Sequence, residues 1–293
     1  MRNWIRTLVS AAGVAALVTL VVVPVALRGQ APARGAAPAA AAPAQPARGA
    51  APAARNVPRT ADGKPNLNGI WQTFGGANWN LEDHGASAGP FFQEGAIGAI
   101  PAGQSVVDGG DIPYTPAALA KRNENARNRL TSDPEVKCYM PGIPRANYMP
   151  YPFQIVQSPQ NILFAYEYAS SNRVVNMGKP TEAPVDSWMG WSNGKWEGDT
   201  LVVDVTGLNG NAWLDRAGNY TTDSTHVVER YTLTDADHIN YEATISDPKL
   251  FTRPWKINLV LYKHMEKNFQ LLEFKCVEFA EEMLYGHLRK RYN

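Results

Sequence analysis

The chain has 293 residues, a formal net charge of +1, 44% hydrophobic residues and two cysteines. So even a charge balance excludes nucleic acid, or any acidic partner, recruited by bulk electrostatics. Twelve Tyr, nine Phe and eight Trp, with 24 Gly and 22 Pro, fit a β-rich fold with many turns and a sizeable core.

Arg2 and Arg6 precede an apolar run from Leu8 to Leu27, the charged and hydrophobic regions of an export signal. The run also just reaches the ~20 residues of a membrane span. Residues 1–30 are therefore expected to be a cleavable signal peptide or an uncleaved anchor, with the amino end cytoplasmic in either case. Residues 31–58 are Ala, Pro, Gly and Arg in low-complexity order. Such a stretch cannot bury a core and is expected to be a disordered linker. Residues 59–293 are expected to form one periplasmic or extracellular domain, with membrane contact only through the N-terminal segment if it is uncleaved.

The domain opens with a turn at Asp62-Gly63 and a short first strand at Gly69-Ile70-Trp71. Residues 75–113 are Gly-rich and irregular, a long loop that covers something or moves. Thr115-Pro116 then supplies an N-cap and a first helical residue for a peripheral helix running to about Leu130. The Pro-rich stretch 134–152 reads as a stiff, non-sheet crossing. Cys138 lies in it. An even cysteine count in an exported chain predicts a disulfide to Cys276, which would staple the crossing to the last strand.

Strands then follow in series. Period-2 alternation predicts Phe153–Gln157, Ile162–Tyr168 and Arg173–Met177. The stretch Trp188–Gly207 is the centre of the pattern, with a Gly-punctuated turn at Glu197-Gly198-Asp199 feeding the strand Thr200–Thr206. Further strands are expected over His226–Thr234, Ile239–Ser246, Trp255–His264 and Gln270–Glu278. The fold class is all-β: about eight sequential strands in an antiparallel meander, forming a lipocalin-like barrel or strongly curled sheet, with one peripheral helix and long irregular loops. No helical crossover separates the strands, which argues against parallel pairing.

Polar residues concentrate at 209–230. Asp215, Asp223, His226 and Arg230 form the candidate catalytic set, since a carboxylate, a His and an Arg together can do acid–base work. Asp215-Arg216 and Glu229-Arg230 read equally well as structural ion pairs. On the strand starting at His226, His226, Val228 and Arg230 share one face and Glu229 takes the other. Trp188, Trp191, Trp213, Arg216 and Tyr166 are the candidate ligand-binding residues. Loops of a meander alternate between ends, so 178–196 and 207–225 share an end only if Gly194–Asp199 makes an extra hairpin, with Lys195-Trp196 in its first arm. No nucleophile elbow, metal-ligand spacing or phosphate loop occurs, so neither cofactor nor metal is expected.

The stretches Arg59–Trp71, Pro150–Gln157, Trp196–Asp204 and Trp213–Gly218 resemble those of an exported bacterial family of unknown function. The resemblance covers most of the chain after the linker. It implies export and says nothing of a reaction. Gly69-x-Trp71 ahead of the strand series is also similar to the first strand of lipocalin-type barrels, whose Trp closes one end. Three functions stay open: a carrier-type barrel for an apolar or aromatic small molecule, an enzyme using the Asp215–Arg230 cluster, or a structural cell-envelope protein. Convergence of the four titratable residues on a pocket would favour the enzyme; an aromatic-lined cavity without it would favour the carrier.

Overall fold

A computed structural model describes residues 57–91, 95 and 99–288. The expected export segment 1–30, and the linker up to residue 56, lie outside the described residues. Nine strands close into a barrel in sequence order: β1 (Gly69–Thr73), β2 (Phe153–Gln157), β3 (Asn161–Tyr166), β4 (Asn172–Asn176), β5 (Trp191–Glu197), β6 (Thr200–Thr206), β7 (His226–Leu233), β8 (His238–Ser246) and β9 (Trp255–Lys263). Alternation drives each strand into the wall. On β7, Val227, Glu229, Tyr231 and Leu233 are buried inside while His226, Val228, Arg230 and Thr232 face outward. β1 pairs with β9 at Trp71↔Lys263 and Thr73↔Leu261, which leaves no open edge.

Two expectations are corrected here. The meander is not wholly antiparallel, because β4 and β5 run parallel, paired at Val175↔Ser192 and Asn176↔Asn193. The reason is the crossover 177–190. It returns along the outside of the wall without a helix, so β5 starts at the same end as β4. Gln270–Glu278 is not a strand. Closure of β1 on β9 has already used the last edge, and the segment is held instead by a Cys138–Cys276 disulfide, Cα atoms 5.8 Å apart. Phe274 packs there against Tyr151 and Tyr168. A short helix follows, α3 (Ala280–Tyr285).

One end of the barrel is sealed by the chain entering β1. Leu67 is fully buried, its N–H donates to Gln157 Oε1 at 2.9 Å, and Arg59 pairs with Asp199 on the β5–β6 turn. Trp71 is buried beneath it and donates Nε1–H to the Leu67 carbonyl at 2.9 Å. Lys263, from the last strand, sits 5.5 Å from the Trp71 ring. Burying a large apolar side chain of this kind contributes roughly 1.5–3 kcal/mol.

The other end is capped by the Pro-rich crossing and by loop 207–225. The helix predicted after Thr115 is present and peripheral, as α1 (Pro116–Arg127), with Ala118 and Asn125 its buried residues. Thr115 caps it through a bond from Ala118 N–H, and Pro116 takes the first position. A kink at Asn128 separates it from the one-turn α2 (Arg129–Ser132).

Candidate functional site

The barrel interior holds a buried polar network. Glu229 Oε2 accepts from Arg173 Nη1 at 2.6 Å, and Oε1 from Arg173 Nη2 at 3.2 Å. Oε1 also accepts from Asn147 Nδ2 at 2.7 Å, Tyr231 at 2.9 Å and Tyr241 at 2.8 Å. The Tyr166 hydroxyl closes the set by donating to Asn147 Oδ1 at 3.0 Å. Asn147 belongs to a 3-10 turn of the crossing, Arg145–Asn147, and reaches down from the capped end. Burial opposes the Arg173 charge, and Glu229 overrides it, so the guanidinium is held charged. Burial likewise raises the Tyr231, Tyr241 and Tyr166 hydroxyls, which remain donors.

An open cleft of about 840 Å³ lies on the outside of the wall, between β4 and the crossover. Its size falls in the range of small-molecule sites, roughly 300–1,000 Å³. Trp188, Trp191, Val174 and Val185 give it apolar sides, and Asn161, Asn172 and Asn209 polar ones. Trp191 is fixed by Nε1–H donation to Thr181 Oγ1 at 3.1 Å, and Trp188 by ring contact with Tyr139 at 5.2 Å. Gly190 makes the bend between the two tryptophans at φ +66°, where a Cβ would lie 2.8 Å from the Thr206 carbonyl oxygen.

No protein-family model and no curated protein matches this chain.

The hairpin required for a shared end is present: β5 and β6 pair from Trp191↔Thr206 to Glu197↔Thr200. His226 and Trp188 therefore lie towards the same end. The four candidate acid–base groups nevertheless stay apart. His226 faces outward and pairs with Asp204 through Nε2 at 3.0 Å. Arg230, on the same outer face, pairs with Glu197 at 2.9 Å and borders a second groove of about 570 Å³ on the other flank of the crossover. Asp223 is exposed on a loop and paired with Lys249. Asp215 is fully buried beneath the cap, where it holds loops together: it accepts from Leu81 N–H at 2.9 Å, Ala217 N–H at 2.9 Å, Asn219 N–H at 3.2 Å and Asn219 Nδ2 at 2.6 Å. The pleat gives the physical reason. His226 and Arg230 share a face, but that face is the outer one, and the Asp215 loop folds inward.

The candidate ligand-binding residues also divide. Trp188 and Trp191 line the cleft. Tyr166 belongs to the interior network, and Trp213 is buried in the cap. Arg216 stacks over Trp79 at 4.3 Å and pairs with Glu135. Glu229 is read from the sequence only as an ion-pair partner for Arg230; it pairs with Arg173 instead, as Arg230 does with Glu197 and Arg216 with Glu135, while Arg173, Tyr231, Tyr241 and Asn147 carry no separate expectation. Their signal was a charge inside an apolar alternation, Val227-Glu229-Tyr231-Leu233 on one strand and Arg173-Val175 on another. Among the described residues, no group of three or more His, Cys, Asp or Glu could hold a metal ion.

Asp215 is expected to titrate within the folded state. Burial pushes its carboxyl up to about 6, against the Asn219 and Leu81 donors that favour the anion. A folded value raised above the ordinary 3.8 means a stability contribution that is full below that value and lost as pH rises through about 6. At ~1.4 kcal/mol per unit the change is about 3 kcal/mol. Carboxyl ¹³C NMR, assigned with Asp215→Asn, should show a midpoint near 6; a midpoint at or below 4 would remove the effect.

Proposed function

We propose that the protein is an exported small-molecule-binding barrel whose apolar or aromatic ligand seats in the cleft between β4 and the crossover. The observation that carries this is the pair Trp188 and Trp191, fixed by Tyr139 and Thr181 and lining a cleft of ligand size. The separation of Asp215, Asp223, His226 and Arg230 supports binding over acid–base catalysis. Export rests on the charged and apolar pattern of residues 1–30 and on the disulfide, which suits an oxidising compartment.

The test is titration of the purified mature domain with N-phenyl-1-naphthylamine, a neutral fluorophore that brightens in apolar sites. Saturable binding is expected. Trp188→Ala and Trp191→Ala should each weaken it about 5–10-fold, in line with ~1 kcal/mol per aromatic contact, measured where both variants stay folded, since Trp188 also packs against the core. Undiminished binding in the double variant would remove the cleft as the site. Mass spectrometry of molecules co-purifying from the periplasm would then name the natural ligand.

A further inference from the structure

The wall behind the cleft is incompletely paired. β4 and β5 exchange register partners only at Val175↔Ser192 and Asn176↔Asn193. Asn172, Arg173 and Val174 precede the paired stretch and have no register partner on β5. Gly194 lets the two strands close beyond it, since a Cβ there would lie 2.5 Å from Val175 Cγ1 and Met177 Sδ. The lining of the cleft includes two residues that are 4% and 3% exposed, Arg173 and Ser192.

Arg173 has one donor unused. Its terminal nitrogens serve Glu229, Tyr231 and Ser192, at 2.6–3.5 Å. Nε, on the stem side of the guanidinium, is buried without a hydrogen-bond partner. A buried N–H of a charged group left unpaired is costly, and native structures rarely keep one without a reason. Ser192 Oγ accepts from Nη1 at the long limit of 3.5 Å and keeps its own proton to donate. Both donors thus belong to residues that line the cleft, at the stretch of β4 where the ladder to β5 has not yet begun. Because Glu229 already balances the Arg173 charge, an anion arriving here would add net negative charge to a buried site. A neutral acceptor would gain a charge-assisted bond at no such cost.

We infer that the ligand of this cleft carries a neutral carbonyl-type oxygen on an apolar or aromatic body, and that this oxygen passes between β4 and β5 to be held by Arg173 Nε–H and Ser192 Oγ–H. The inference rests on the binding reading above and narrows it to a chemical class. Aromatic ketones, esters and amides satisfy it; carboxylates and plain hydrocarbons do not.

Three probes of nearly equal shape separate the possibilities: 2-acetonaphthone, 2-isopropenylnaphthalene and 2-naphthoate, each competed against N-phenyl-1-naphthylamine on the disulfide-intact domain. The ketone is expected to bind about tenfold tighter than the hydrocarbon, the worth of one hydrogen bond to a charged donor, and tighter than the carboxylate. Ser192→Ala should narrow the ketone's advantage over the hydrocarbon several-fold. A through-bond-assigned Arg173 Nε–H resonance should shift with the ketone and not with the hydrocarbon, a readout that needs no substitution at Arg173. Equal binding of ketone and hydrocarbon with a stationary Nε–H signal would overturn the anchor and leave the cleft standing as a site. Tightest binding by the carboxylate would overturn the neutrality of the ligand. Failure of all three probes and of the fluorophore to bind would overturn the binding reading and this inference with it.

Discussion

Glu229→Gln is expected to lower the unfolding free energy by about 3–5 kcal/mol, the usual cost of removing one partner from a buried ion pair. Gln keeps the volume and offers an oxygen to Tyr231 and Tyr241. It also turns an NH₂ donor towards the Arg173 guanidinium, which is only 4% exposed and has no other acid within hydrogen-bond reach among the described residues. The charge is then left buried and uncompensated. A urea midpoint lower by about 1–2 M with an unchanged slope is the expected reading. Adding Arg173→Met should recover part of the loss, so that the pair couples by 2 kcal/mol or more in a double-mutant cycle. A single-variant cost below about 1 kcal/mol would show that water or rearrangement compensates the charge, contrary to its burial.

The double substitution Cys138→Ser, Cys276→Ser is expected to cost about 2–5 kcal/mol. The bridge joins residues 138 apart in sequence, so in the chain-entropy model it removes freedom from the unfolded state worth at most about 5 kcal/mol. Native interactions on the tail will remain: Phe274 between Tyr151 and Tyr168, Phe279 N–H to the Val136 carbonyl at 2.7 Å, and Leu272 N–H to Glu167 at 2.8 Å. The tail residues are largely exposed, so the change should concentrate in residues 265–288. Hydrogen exchange should show that segment losing protection while β6–β8 keep theirs, and urea midpoints should fall equally in the double variant and in the reduced wild type. A midpoint shift under about 0.5 M urea with tail protection intact would mean that packing alone holds the tail.

What was legible in the sequence was local. Period-2 alternation marked β6 over Thr200–Thr206 and found β2, β7, β8 and β9 within a residue or two of their ends, because each strand needs one apolar face whatever its neighbours are. Thr115-Pro116 announced α1, since capping and a fixed φ act within one turn of chain. Glu197-Gly198-Asp199 announced the β5–β6 hairpin for the same reason. The two cysteines could pair only with each other. Tertiary structure decided the rest. On β7 the more apolar set, Val227, Tyr231 and Leu233, takes the inside and carries Glu229 with it, while His226 and Arg230 fall on the outer face; which charge meets which inside the barrel depends on the other strands. The parallel return of residues 177–190 and the loss of a strand at 270–278 depend on which edge is left free when the barrel closes. The Arg173–Glu229 network joins residues 56 apart in sequence, and the cleft brings β4 together with the crossover, Met140 and Asn209. Such features come from distant segments meeting, and short-range periodicity carries no record of the meeting.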